Sequence, residues 1–443
     1  MKLHCLRHAV LVAICLGLMI GVSLGETANL EKKESPAERF ANATSDEARR
    51  EILRTIAGDR DRSGVDVVVS LLQAPPTNHF LLSDAIAAAD KLSSIYITSA
   101  LIGLAHAGLP TNVLIQAIEV LGHKGSTDGL PALAPHLRSS AGRVRAAAAA
   151  AIGRSGGMPA INVTLPLLDD PSLAVRRSAL TALGWFRHPR LIEPLTKAAA
   201  DPTTRHEAML ALAGIPDLRA LDRLLEGLGG RDAMVRDRCR RTLVLLQTEA
   251  LPMLEARAEN LPPLTVSELR RVYRSNETAK AGVLFQRDLK LPGISTYAAF
   301  ASTNHGDRVN GRRLLEEDSR LGCLRCHAPD AADGAIAPVL GEVGSKLGRT
   351  EIIQSILRPG DRVCKGGEMT TLVLRRGAPL AGLLRRETTV RVALLDLDGH
   401  EHHVLKSNIL ERTSGGGSYM PEGLEAGLSL EEFADLVAAL TGP

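Results

Sequence analysis

The chain has 443 residues, enough for two or three domains at about 150 residues each. With 45% hydrophobic and 23% charged residues it is not a disordered polymer, and with only 2% aromatics it is poor material for a large β-sandwich or propeller. A formal net charge of +3 is too weak a field for a nucleic-acid groove, so no nucleic-acid partner is expected.

Residues 1–25 read as a signal peptide. Lys2 and Arg7 precede an apolar run from Ala9 to Leu24, and Ser23-Leu24-Gly25 offers small residues for cleavage. The run is shorter than the ~20 residues of a spanning helix, and a retained N-terminal anchor is the alternative. The expectation is an exported, periplasmic protein with no stable membrane span after cleavage, and residues 26–44 read as a linker.

Four cysteines follow the leader: Cys239, Cys323, Cys326 and Cys364. Four in so long a chain do not make a disulfide scaffold. Cys239 falls among helical repeats and reads as a small core residue. Cys364 has no evident partner.

Residues 45–275 read as repeated helical hairpins. Arg145, Arg176, Arg205 and Arg236 are spaced 31, 29 and 31 residues apart, and the small residues Ala148, Ala179, Ala208 and Cys239 follow each three places later. Ala85 and Ala117 extend that column, and Gly122, Gly153, Gly184 and Ala213 make another. Val175, Ala179 and Leu183 form one apolar helical stripe; Leu191, Ile192, Leu195 and Ala198 form a second after His188-Pro189. Such hairpins bury their apolar faces only by stacking. The arginines read as solvated or as caps of neighbouring carbonyls, or else as a ladder on a binding face. This pattern resembles the shorter class of HEAT-like repeats, which implies an α-solenoid and partner binding.

Residues 276–296 read as a connector. Beyond them, Cys323-Leu324-Arg325-Cys326-His327 is the C-x-x-C-H attachment signature of c-type haem, whose thiols add across the haem vinyls while the histidine reaches iron. A thioredoxin-like motif would want a βαβ context, and a zinc site would want a second ligand pair nearby.

Flanking segments suit a small helical domain. Arg308–Glu317 predicts a helix in which Gly311 permits close approach and Leu315 packs inward. A second, led by Gly348-Arg349-Thr350, carries Ile352, Ile353, Ile356 and Leu357 on one face and stops at Pro359-Gly360. A last helix has Ser429 and Glu432 as a capping box and buries Phe433, Leu436, Val437 and Leu440. Between them, Thr370–Arg375, Leu380–Leu384 and Thr389–Leu395 predict three strands of a β insertion at about 369–412. Gly415-Gly416-Gly417 reads as a flexible spacer.

Residues 297–443 resemble the haem-binding domain of the Planctomycetes–Verrucomicrobia type, a c-type cytochrome family. The resemblance rests on Gly306-Asp307 with Gly311, the C-x-x-C-H motif, Pro338-Val339-Leu340-Gly341, Ile356-Leu357-Arg358-Pro359 and Tyr419-Met420-Pro421-Glu422-Gly423-Leu424. It departs from the family at Ala337, where glycine is usual, and at Leu315, where an aromatic is common. The resemblance implies one covalent haem c on Cys323 and Cys326, with iron held by His327 and Met420. The residues by themselves leave Met369, His305, His400, His402 and His403 as competitors for the sixth position.

The expected fold is therefore mainly α: a HEAT-like solenoid followed by a small all-α cytochrome c domain with a short β insertion. The expected function is electron transfer by an exported monohaem cytochrome, with the repeats docking a redox partner such as a periplasmic dehydrogenase. A haem-based redox or gas sensor is the alternative, followed by a haem enzyme. No catalytic constellation is evident, and an electron carrier is expected rather than a catalyst.

Overall fold

A computed structural model describes residues 34–155, 157–317, 321–327, 337–363, 367–375, 380–396 and 401–441. The leader, Cys364 and His400 lie outside the described residues. Among the described residues, no helix is long and apolar enough to cross a membrane.

The fold is mainly helical, with a HEAT-like solenoid and a small C-terminal sheet. Its hairpins pair a longer first helix with a shorter second one. Helices Thr111–His123, Gly142–Ser155, Leu173–Phe186, Arg205–Ala213 and Ala233–Glu255 are the first members of successive hairpins, each packed on the next. Side-chain oxygens of Asn78, Ser94 and Asp232 start three of the solenoid's helices by accepting from backbone amides of their first turns. Second helices are short where proline intervenes. Met158–Thr164 gives way to a 3-10 turn, Leu165–Asp169, with Pro166 in its first turn.

The small-residue columns are where one hairpin meets the next. Ala85, Ala117, Ala148, Ala179, Ala208 and Cys239 are all fully buried. A Cβ added at Gly122, Gly153 or Gly184 would stand 2.7, 2.7 and 3.1 Å from the Cα of Ala151, Ala182 and Ala211. The helices pack this closely because glycine on one meets alanine on the next. Around them, fully buried leucines such as Leu180, Leu183 and Leu212 each contribute about 1.5–3 kcal/mol by leaving water.

Helix Ile294–Thr303 crosses the expected join at 296–297 and packs on the last helix, where Tyr297 meets the Phe433 ring edge-on at 5.5 Å. Arg308–Glu317, Arg349–Leu357 and Leu430–Leu440 form as the sequence predicts, the last with its Ser429–Glu432 capping box. Gly311 lets Arg308–Glu317 lie against the Asp435 carbonyl. Leu314 is the fully buried residue of that helix, and Leu315 is half-buried at the edge of the same core.

The β region is larger than expected. Among the described residues it has five strands, β1 (Glu368–Leu374), β2 (Leu380–Glu387), β3 (Arg391–Leu395), β4 (Glu401–Leu405) and β5 (Ile409–Ser418), in the order β4-β3-β2-β1-β5 with every pair antiparallel. Three expected strands correspond to β1–β3. The other two lack an apolar signal: β4 buries only Val404, and β5 carries the glycines expected to be a spacer. Gly415 and Gly417 have φ of +85° and +140°, so the strand uses backbone conformations that favour glycine. The region is thus not an all-α domain with a short insertion; helices and a full sheet stand side by side.

Candidate functional site

The C-x-x-C-H motif forms a closed turn. Gly322, in the left-handed region at φ +63°, leads into a 3-10 helix at Cys323–Arg325. Amides of Cys326 and His327 donate to the Cys323 carbonyl at 3.2 and 3.0 Å. The Ala337 amide donates to the Cys326 carbonyl at 3.2 Å, and His327 pairs with Ala337 in an isolated parallel bridge.

Its two thiols face different cores. Cys323 packs at the edge of the helical cluster, beside which Met420 and Leu340 also pack. Cys326 packs against the sheet cluster of Met369, Leu383, Leu395 and Tyr419. Burial pushes the Cys323 thiol up to about 11, which keeps it protonated near neutrality.

His327 is oriented by the backbone. Its Nδ1 lies 2.7 Å from the Pro338 carbonyl oxygen. A carbonyl only accepts, so Nδ1 carries the proton and Nε2 presents a lone pair. Burial lowers the ring's pKa, against the opposing effect of that hydrogen bond. A neutral imidazole with Nε2 as acceptor is the form a metal requires.

A cavity of about 930 Å³ opens between the solenoid and the C-terminal region. Cys326, Met369 and Met420 line one side, and residues of helices Arg205–Ala213 and Ala233–Glu255 line the other. The volume suits a cofactor. Six arginines and four carboxylates border it, and Arg187, Arg240, Arg241 and Arg271 are already in ion pairs with Asp396, Asp237 and Glu425. Cys323 and His327 are not among its lining residues. The C-x-x-C-H spacing and the histidine tautomer fit haem c, and of the four residues that would hold it Cys326 and Met420 line the cavity. Among the described residues, no group of three or more His, Cys, Asp or Glu could hold a metal ion by itself.

The competitors for the sixth position separate. His305 is exposed, and so is His403. His402 Nε2 lies 2.7 Å from the Asp396 carboxylate, which Arg187 also approaches at 3.4 Å. Met369 is buried in β1 and Met420 is half-buried in the loop after β5, both on the cavity. Sequence reasoning missed the solenoid's share of this site, because the cavity arginines Arg187, Arg238, Arg240, Arg241, Arg271 and Arg274 fall outside the repeating column.

These features define the protein as an α-solenoid joined to a small helix-and-sheet region. Residues 143–204 and 161–244 match the family described as HEAT repeats. A search of curated proteins finds no match. Similar solved structures include YibA of E. coli, at 18% identity over 54% of this chain and 91% of that one, with a TM-score of 0.36. Two engineered proteins are also similar, at 18% identity over 68% of this chain and 85% of that chain (TM-score 0.38) and at 21% over 58% and 94% (TM-score 0.19).

Proposed function

We propose that this protein is an exported monohaem c-type cytochrome that carries electrons. Cys323 and Cys326 would hold haem c through thioethers, and His327 and Met420 would hold its iron. When bound, the haem supplies one-electron chemistry at its iron. The chain's own residues orient the imidazole, shield the cofactor and, with a thioether sulfur as sixth ligand, favour a higher potential. The observation that carries this reading is the His327–Pro338 hydrogen bond within a C-x-x-C-H turn. It leaves Nε2 available and gives an otherwise isolated motif the orientation that iron ligation needs.

The solenoid's later hairpins hold the C-terminal region, so a redox partner would dock on the earlier ones. Exposed Phe80, Ile95 and Tyr96 support that placement.

The test is production with haem-maturation machinery, followed by absorption spectroscopy and acid–organic extraction of the denatured chain. Haem that stays with the polypeptide and a six-coordinate low-spin spectrum are expected. Haem that extracts freely, or zinc in its place, overturns the reading. A five-coordinate spectrum that shifts with carbon monoxide would favour a gas sensor.

A further inference from the structure

The four spaced arginines share one local task. Each reaches back to a carbonyl six residues earlier: Arg145 to Ser139 at 2.8 Å, Arg176 to Asp170 at 3.0 Å, Arg205 to Ala199 at 3.5 Å and Arg236 to Gly230 at 2.9 Å. They tie the start of each first helix to the segment before it, and Arg236 does something more. It is only 1% exposed, and its Nη2 donates at 2.8 Å to the carbonyl of Gly423, 187 residues further along the chain.

One helical turn later, Arg240 donates through Nη2 to the Glu422 carbonyl at 3.0 Å. Its other contacts are the carboxylates of Asp237 and Glu268 at 2.5 and 2.6 Å. From the next helix, Arg271 donates to the Glu425 carboxylate at 2.8 Å. Three arginines of the solenoid's end thus grip positions 422, 423 and 425, immediately after Met420-Pro421. The turn is seated without spare room: Gly423 has φ +79°, and a Cβ there would stand 2.9 Å from Arg271 Nη1 and 3.0 Å from Glu268 Oε1. Charge-assisted hydrogen bonds to buried carbonyls are the stronger kind, and breaking one leaves a desolvated partner behind.

We infer that Arg236 and Arg240 are positioning residues for Met420, so that the last part of the repeat solenoid fixes where the axial sulfur stands. This inference rests on the haem reading above. It makes the repeats half of the cofactor site rather than a separate docking module. It also explains how a methionine 93 residues beyond His327 is held in place before any cofactor binds.

The experiment uses the full chain loaded with haem. Arg236→Gln and Arg240→Gln should weaken or abolish the methionine–ferric charge-transfer band and lower the potential, while covalent haem content stays unchanged. Arg236→Lys keeps the charge but offers one nitrogen where Arg236 spans the two carbonyls with Nη1 and Nη2, so it should fall between. Arg176→Gln is the control: it removes the equivalent contacts to Asp170 and Pro171, none of these three residues lines the cavity, and it should keep band and potential. Gly423→Ala perturbs the same grip from the loop side, and it decides the matter if Arg236→Gln does not fold.

Folded Arg236→Gln and Gly423→Ala proteins with the wild-type band and potential would overturn the inference. So would an Arg176→Gln protein that loses the band equally. A wild type with covalent haem but no methionine band overturns this inference alone. A wild type without covalent haem overturns the haem reading, and the positioning role with it.

Discussion

His327 Nδ1 and the Pro338 carbonyl oxygen stand 2.7 Å apart, and this contact decides the protonation pattern of the imidazole. The carbonyl can take only a donated hydrogen, so the ring's other nitrogen is left as an acceptor. Pro338 is eleven residues from His327 in sequence and is brought back by the bridge at Ala337. A histidine held this way loses little rotational freedom on binding a metal.

Replacing His327 with alanine should therefore leave the thioethers possible but remove one iron ligand. The expected product is haem bound to the chain with a high-spin spectrum, converted towards low spin by imidazole added to the buffer. A His327→Ala protein whose spectrum matches wild type would show that another residue supplies this ligand.

Two methionines of the C-terminal region, Met369 and Met420, line the cavity, and their substitutions separate their roles. Met420→Ala should lose the ferric charge-transfer band and lower the potential while haem stays attached. Met369→Leu, similar in volume and buried in β1 beside Cys326, should cost less than about 1.5 kcal/mol of stability and keep the band. The opposite pattern would assign the sixth position to Met369.

The glycine column gives a test of the repeats that needs no cofactor. At Gly153 an added Cβ would lie 2.6 Å from Trp185 Cε3 and 2.7 Å from the Ala182 Cα, a backbone atom that cannot swing aside. Overpacking of this kind costs about 1–3 kcal/mol, against the ~1 kcal/mol alanine gains over glycine within a helix. Gly153→Ala should thus be net destabilising in urea unfolding. Gly103→Ala, in helix Ile95–Ala105 with nothing within 4 Å, should instead stabilise by up to about 1 kcal/mol. Equal effects from the two would contradict close stacking at Gly153.

Asp170 sets a pH dependence with a definite sign. Arg145 grips its carboxylate with Nε and Nη2, both at 2.8 Å, and the Ser172 amide adds a third bond at 2.8 Å. The Arg145 hydrogen bonds, ahead of the other causes, hold the carboxyl below its usual range. A carboxyl whose folded pKa is depressed contributes stability above its unfolded value of about 3.9, and that contribution is lost as pH falls through the folded value. Asp170→Asn should lower stability near neutrality and flatten its decline below about pH 4 relative to wild type. Urea midpoints measured across that range check both halves; parallel curves would show that Asp170 is not linked to folding.

The sequence by itself determined whatever is local or periodic. A small residue every 29 to 32 positions, with an arginine three places earlier in four of the hairpins, is enough to specify stacked hairpins, because each contact between neighbours repeats the last. The C-x-x-C-H turn and the Ser429–Glu432 capping box were legible for the same reason: their partners lie within four residues. Strands β4 and β5 were not, since one is mostly polar and the other rich in glycine, and only pairing in the sheet makes them strands. Nor did any pattern link Arg236 to Gly423. A single side chain reaching a carbonyl 187 residues away leaves no periodic trace, so only the tertiary structure decided that the repeats hold the loop carrying Met420.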